Sequence, residues 1–165
     1  MRVLLVRHGI AIDEEPGLGD EERYLTPEGR VKTRKVAELL AGRGVGIDRI
    51  LTSPLVRATQ TAEIVAREVG CEDVRVTLAL VPGATLSSVD AALAAGKSSG
   101  TLALVGHEPS MSAIAAHLMG LGRFPRPFKK AGVCAIALGG PHAVGKFEFF
   151  VTPKGPTLER TLEER

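Results

Sequence analysis

Residues Val3 to Val6 form a short run of apolar, strand-forming side chains that stops abruptly at Arg7-His8-Gly9. A run of this kind suits a strand buried on both faces, as in a sheet covered by helices on either side. In open α/β sheets the ligand crevice lies just beyond the carboxyl ends of the strands. A histidine at that point can act as a nucleophile, and an adjacent arginine can hold an anion in front of it. The glycine lets the backbone turn away or approach a ligand closely. The same three residues also fit a plain strand end that carries polar side chains.

The pattern returns further along the chain. Thr101 to Val105 is another apolar run, followed by Gly106-His107-Glu108-Pro109 and a helix from about Pro109 to Met119. Two histidines at the ends of two such strands can converge on one crevice. Between them, Ile47 to Thr52 reads as a strand. Ser53 then reads as the cap of the next helix, with Pro54 at its start and Arg57 in its first or second turn. Helix N-termini present unpaired N–H groups and a field that favours anions, so phosphate recognition fits there.

Arg7-His8-Gly9, Ser53-Pro54-Leu55-Val56-Arg57-Ala58-Thr59-Gln60-Thr61-Ala62 and Val105-Gly106-His107-Glu108-Pro109 occur in that order. Together they closely resemble the motifs of the histidine phosphatase superfamily, the phosphoglycerate mutase-like fold. The short chain, Arg23-Tyr24-Leu25-Thr26-Pro27-Glu28-Gly29 and Leu80-Val81-Pro82-Gly83 are most similar to its phosphohistidine phosphatase, SixA-type branch. The resemblance runs from residue 1 to about residue 152. It implies a three-layer α/β/α architecture with a mostly parallel sheet and an antiparallel edge. It also implies one histidine phosphatase domain over residues 1–165, with a charged tail from Pro153 to Arg165.

The resemblance further implies that His8 attacks phosphorus and becomes a phosphohistidine, which water then hydrolyses. Arg7 and Arg57 would clamp the phosphoryl oxygens, and His107, protonated when phosphate is bound, would donate a third hydrogen bond. Arg23 matches an arginine often found in the branch and is a candidate substrate contact; a plain surface arginine is the alternative. Where mutases carry a glutamate acid, this chain has the Leu80-Val81-Pro82-Gly83 segment. Glu108 stands where the acid phosphatase and phytase branch carries an aspartate. It is either a general acid or a residue that favours the helix N-terminus.

A leaving imidazole needs little acid assistance, because protonated imidazole has a pKa of ~6.5, whereas an alkoxide benefits much more from a donor. The resemblance to the phosphohistidine phosphatase branch implies phosphohistidine in a protein as the substrate, and the weak evidence for an acid points the same way. A small-molecule phosphomonoesterase or a phosphoglycerate mutase-like enzyme is the alternative. No metal or other cofactor is required by this scheme. A His8–His107–Asp13 metal site is conceivable, although the local spacing resembles no standard metal motif.

The rest of the sequence sets bounds. A chain of 165 residues with 44% apolar and 24% charged residues fits one soluble domain with a real core. A net charge of +2 is too small to argue for nucleic acid or a membrane surface. No apolar run reaches bilayer length, and Met1-Arg2 leads straight into the first strand, so neither a membrane span nor a cleavable leader is expected. Cys71 and Cys134 read as isolated thiols, consistent with a reducing cytoplasm. The absence of asparagine, with Gln60 the sole glutamine, points to a thermophilic source.

Ile10 to Arg23 is an acidic loop, either a lid beside the phosphate site or simply a solvated segment. Thr26 caps a helix whose apolar face is Val31, Val36, Ala37, Leu39 and Leu40. Arg123 to Lys130 mixes basic and aromatic residues and reads as a proline-broken loop, with a substrate rim or nucleic-acid contact as alternatives. His117 reads as structural, and His142 as an exposed, inert turn residue. The tail suggests at most a short helix and carries no chemistry.

Overall fold

Leu4 and Val6 face one hydrophobic core, Val3 and Leu5 face another, and all four are at most 1% exposed. A strand whose alternate residues both enter a core must be covered on both sides. In the computed structural model, which describes residues 1–96, 100–140 and 143–163, that strand is β1 (Arg2–Arg7), near the middle of a seven-stranded sheet. The others are β2 (Arg49–Thr52), β3 (Val74–Val76), β4 (Thr101–Gly106), β5 (Val133–Ala137), β6 (Lys146–Thr152) and β7 (Thr157–Glu159). The order across the sheet is β3-β2-β4-β1-β5-β6-β7.

Helices α1 (Pro27–Gly42) and α2 (Val56–Val69) pack on the face of Leu4 and Val6; α3 (Leu86–Ala95) and α4 (Ser110–Met119) pack on the face of Val3 and Leu5. The expected α/β/α layering is therefore present. β1 to β4 are mutually parallel, while β5, β6 and β7 each run antiparallel to their neighbour. The antiparallel part is thus a three-stranded meander, broader than an edge.

Local chemistry explains where the elements begin. Thr26 accepts a hydrogen bond from the Gly29 N–H at 2.9 Å, and Pro27 follows it, so α1 starts as expected. Its buried face differs from the expected one. Val31 is 46% exposed, and Thr33 is buried in its place, its hydroxyl donating to the Gly29 carbonyl at 2.7 Å. A threonine satisfied within its own helix behaves as an apolar residue there. Ser53 does not cap α2: the residue before that helix is Leu55, without a side-chain cap.

Two segments read as loop or tail are structural. Between Arg123 and Lys130 the inward residues are Phe124, Arg126 and Phe128, with Pro125 and Pro127 outward. The three rings of Phe124, Phe128 and Phe150 pack with centroids 5.2–6.0 Å apart. The Arg126 guanidinium lies 4.1 Å from the Phe150 ring centre and donates to Glu159 at 2.9 Å and to the Thr152 hydroxyl at 3.2 Å. Glu159 belongs to β7, so the segment expected to hold at most a short helix adds a strand instead. His142 lies outside the described residues.

Arg126→Ala removes the cation, its packing on Phe150 and one of the partners of Glu159 together. It is expected to cost about 2 kcal/mol of unfolding free energy, mostly from packing lost around the buried guanidinium, since Glu159 is 30% exposed. Denaturant unfolding measures this, and a loss below about 0.5 kcal/mol, the size of an ordinary surface change, would contradict the packing described.

Candidate active site

β1 and β4 lie side by side and parallel, yet the chain leaves β1 toward α1 on one face and leaves β4 toward α4 on the other. Neighbouring strands whose exits diverge in this way open a crevice at their carboxyl ends. His8 follows β1, His107 follows β4, and Ser53 follows β2 on the far side of β4. The backbone continues the ladder across the crevice: His8 N–H donates to the Gly106 carbonyl at 2.9 Å, and Ser53 N–H to the Val105 carbonyl at 3.0 Å. The two imidazole rings come to 5.1 Å between centroids, tilted by 52°.

The tautomer of His8 follows from its partner. Its Nδ1 is 2.7 Å from the Gly9 carbonyl, which can only accept, so Nδ1 carries the proton and Nε2 holds a lone pair. Gly9 is fixed in turn, its N–H donating to Thr61 Oγ1 at 3.0 Å while the Thr61 hydroxyl donates to the Arg57 carbonyl at 2.7 Å. A Cβ on Gly9 would meet Thr33 Oγ1 at 2.5 Å, so only glycine fits this close approach to α1. The turn before β5 completes the support. Ala131, held at φ 64, donates its N–H to the carbonyls of Arg7 and His8 at 3.1 and 3.0 Å.

His107 uses Nε2 on the Ser53 hydroxyl, 2.8 Å away, and its buried Nδ1 makes no hydrogen bond. The Ser53 oxygen also accepts from the Leu55 N–H at 3.3 Å, which leaves its own proton free to be donated to His107. Arg7 donates through one terminal nitrogen to the Phe128 carbonyl at 2.8 Å, while its buried Nε has no partner. Arg7 Nε and His107 Nδ1 are thus two buried polar atoms, at one strand-end crevice, that a bound anion could satisfy.

Arg57, 5% exposed, donates to the Asp20 carbonyl at 2.6 Å and to its carboxylate at 3.1 Å. Asp20 also receives Arg23 at 2.9 Å, and Arg23 Nε holds the Ile12 carbonyl at 2.8 Å. The acidic loop is therefore tied to Arg57 by one of its own carboxylates. Arg23 is linked to Arg57 through Asp20. Asp20 escaped the sequence reading because it was one acid among six in the loop; Ser53 escaped because a serine before Pro54 looks like a cap.

Glu108 accepts from the Ser112 N–H at 2.8 Å and from the Ser112 hydroxyl at 2.7 Å, so both its oxygens are engaged at the start of α4. His117 pairs with Asp90 of α3 at 2.9 Å, outside the crevice. Asp13 is exposed, and among the described residues no three His, Cys, Asp or Glu side chains are gathered to hold a metal ion. No helix among them is long and apolar enough to cross a membrane.

Residues 3–80 match the family model of the histidine phosphatase superfamily, branch 1. The phosphohistidine phosphatase SixA of Escherichia coli is 30% identical over 141 residues, covering 84% of this chain and 86% of SixA. The chain belongs to the histidine phosphatase superfamily. Within the superfamily it is similar to SixA-type members. A solved structure of the protein histidine phosphatase SixA complexed with tungstate superposes with a TM-score of 0.85 at 28% identity, over 94% of this chain and 99% of that one. An uncharacterised protein of Picosynechococcus is 36% identical over 142 residues, 84% of this chain and 86% of its own length.

The electrostatics of this histidine phosphatase site hold both rings neutral. Burial, reinforced by His107, Arg57 and Arg7, pushes His8 down to about 3, against the Gly9 carbonyl, which favours the protonated ring. Burial and Arg57 push His107 down to about 4, with Asp20 opposing and Arg7 adding. In the unfolded chain each ring takes up its proton near pH ~6.5. Between pH 6.5 and about 4 the unfolded state therefore binds more protons, and stability falls as pH drops through that window. Above pH 6.5 the rings are neutral in both states and contribute no slope.

Replacing His107 with glutamine removes one of these titrations. In phosphate-free buffer, His107→Gln should lose less Tm than wild type between pH 7 and pH 4.5, scored as the change within each protein. Parallel Tm curves for the two proteins would contradict the burial of a neutral His107.

Proposed function

We propose that this chain is a phosphatase that works through a phosphohistidine intermediate on His8, and that its substrate is phosphohistidine in a protein. The observation that carries the reading is His8, its Nδ1 fixed on the Gly9 carbonyl and its ring 5.1 Å from that of His107, at a crevice where Arg7 Nε and His107 Nδ1 are buried without partners. A phosphoryl group at this point would receive charge-assisted hydrogen bonds from Arg7 and Arg57, and from His107 once the phosphate charge draws a proton onto it. Phosphoryl transfer depends mostly on positioning and electrostatic stabilisation, which this inventory supplies.

The steps balance without a metal. The Nε2 lone pair of His8 forms a bond to phosphorus, and the bond from phosphorus to the leaving nitrogen breaks with its electron pair on that nitrogen. The phosphorylated ring then carries a positive charge, with its Nδ1–H still directed at the Gly9 carbonyl. Water next attacks phosphorus, and His8 leaves as the neutral ring in which it began. Both water protons remain on the product, which departs as dihydrogen phosphate and equilibrates with solvent. The fixed Nδ1–H is thus what makes His8 both a competent nucleophile and a good leaving group.

Similarity to a protein named for phosphohistidine phosphatase activity supports the substrate, as does the chemistry of Glu108. With both its oxygens on Ser112, Glu108 serves the start of α4 in this reading, and no donor is assigned to a basic alkoxide. Arg23 acts on the site by holding Asp20.

The reading is tested with a leaving-group series of phosphohistidine peptide, aryl phosphate and alkyl phosphate, run with and without chelator. Wild type should cleave the first two, handle alkyl phosphates poorly and ignore the chelator. Glu108→Gln should lower kcat/KM on all three by one small common factor. A selective loss of about 10²–10⁴-fold on alkyl phosphates would identify Glu108 as a general acid instead. Strong wild-type preference for one alkyl phosphate would move the chain to small-molecule chemistry. Arg57→Lys keeps the charge but loses the planar fork, so kcat/KM should still drop at least tenfold, roughly one charge-assisted hydrogen bond.

A further inference from the structure

A carboxylate on a phosphate-binding arginine competes with the phosphate for that arginine. Asp20 is placed in this way, with one oxygen on Arg57 at 3.1 Å and the other on Arg23 at 2.9 Å. The placement is built into the loop. Asp20 opens a 3-10 turn (Asp20–Glu22) pinned by the Gly19 N–H on the Glu22 carboxylate at 2.9 Å, and Arg23 anchors on Ile12. A fixed negative charge there repels every bare phosphate ester, and repels least a ligand that brings a positive charge with it.

Exposure shows which way the carboxylate opens. The Asp20 side chain is 50% exposed, against 6% for Arg57 and 19% for Arg23. Arg57 is therefore buried against its partner, while the Asp20 carboxylate remains open to solvent. An ionised carboxylate offers about four acceptor sites, and the two arginines take two of them. The two guanidiniums hold the Asp20 pKa below its ordinary value, Arg23 most strongly, so the group stays ionised.

We propose that Asp20 is a specificity-determining residue whose carboxylate receives the N–H of a cationic, nitrogen-linked leaving group, so that the site selects phosphorylated imidazolium over phosphate esters. The inference rests on the phosphohistidine reading above and adds the residue that enforces it. The distal ring nitrogen of the substrate keeps its proton and donates it in a hydrogen bond to the Asp20 carboxylate. When the P–N bond breaks, the electron pair stays on the departing nitrogen and the ring leaves as neutral imidazole. No proton has to reach the departing atom. An ester oxygen has no such partner and leaves as an alkoxide, which this arrangement does not assist.

The test is kcat/KM for wild type and Asp20→Asn on a phosphohistidine peptide and on p-nitrophenyl phosphate. Asp20→Asn should lower the ratio of kcat/KM on the peptide to kcat/KM on the aryl ester about tenfold, the order of one partly screened ion pair. Retained activity on the aryl ester also shows that the variant is folded. An equal loss on both substrates would reduce Asp20 to a tether for Arg57 and overturn the proposal, as would no change on either. Wild type that cleaves the aryl ester but not the peptide would instead defeat the phosphohistidine reading, and this inference with it.

Discussion

The pairing of β1 with β4 is the constraint on which the rest of the site depends. These strands run parallel from Arg2 opposite Thr101 to Arg7 opposite Gly106, so their last residues are level. Because the chain leaves them toward opposite faces, the next residue of each, His8 and His107, looks into the same opening. Nothing beyond the strand ends needs to be flexible for the rings to meet. The cost is that both sit in a poorly solvated place, 7% and 3% exposed, where a charged imidazole is disfavoured.

That cost bears on the proposed chemistry. A buried neutral His8 with its proton fixed on Nδ1 is prepared to attack, whereas a solvated histidine would sample both tautomers and, below pH ~6.5, the protonated form. Burial keeps it neutral, and the nearby cations add to this; they are held by oxygens rather than left bare, Arg7 by the Phe128 carbonyl and Arg57 by the carbonyl and carboxylate of Asp20. Asp20 also offsets the positive field at His107. The loop between β1 and α1 thus belongs to the electrostatic balance of the crevice.

The sheet and its histidines were legible because their signals are local. A buried strand ending in Arg7-His8-Gly9, a second ending in Gly106-His107, and the Thr26-Pro27 helix start each need only a few neighbours to be read. What was hidden depended on distant partners. Ser53 looks like a cap until β2 and β4 are placed side by side, when its hydroxyl is found on His107. Arg126 looks like a solvated cation until Phe150 and Glu159 surround it. The alternation Phe124, Arg126, Phe128 was a period-two signal, masked because prolines occupy the intervening positions and an arginine one of the inward ones. Glu108 offered two readings from sequence, and only the position of Ser112 shows where its carboxylate points.

The most direct measurement is the site of phosphorylation during turnover. Wild-type protein quenched within its first turnover on labelled phosphohistidine peptide, digested under alkaline conditions and mapped, should carry acid-labile phosphate on the peptide containing His8. The label should vanish as water completes the cycle. Label on the His107 peptide, or full turnover with no phosphoenzyme formed, would contradict the assignment of His8 as the nucleophile.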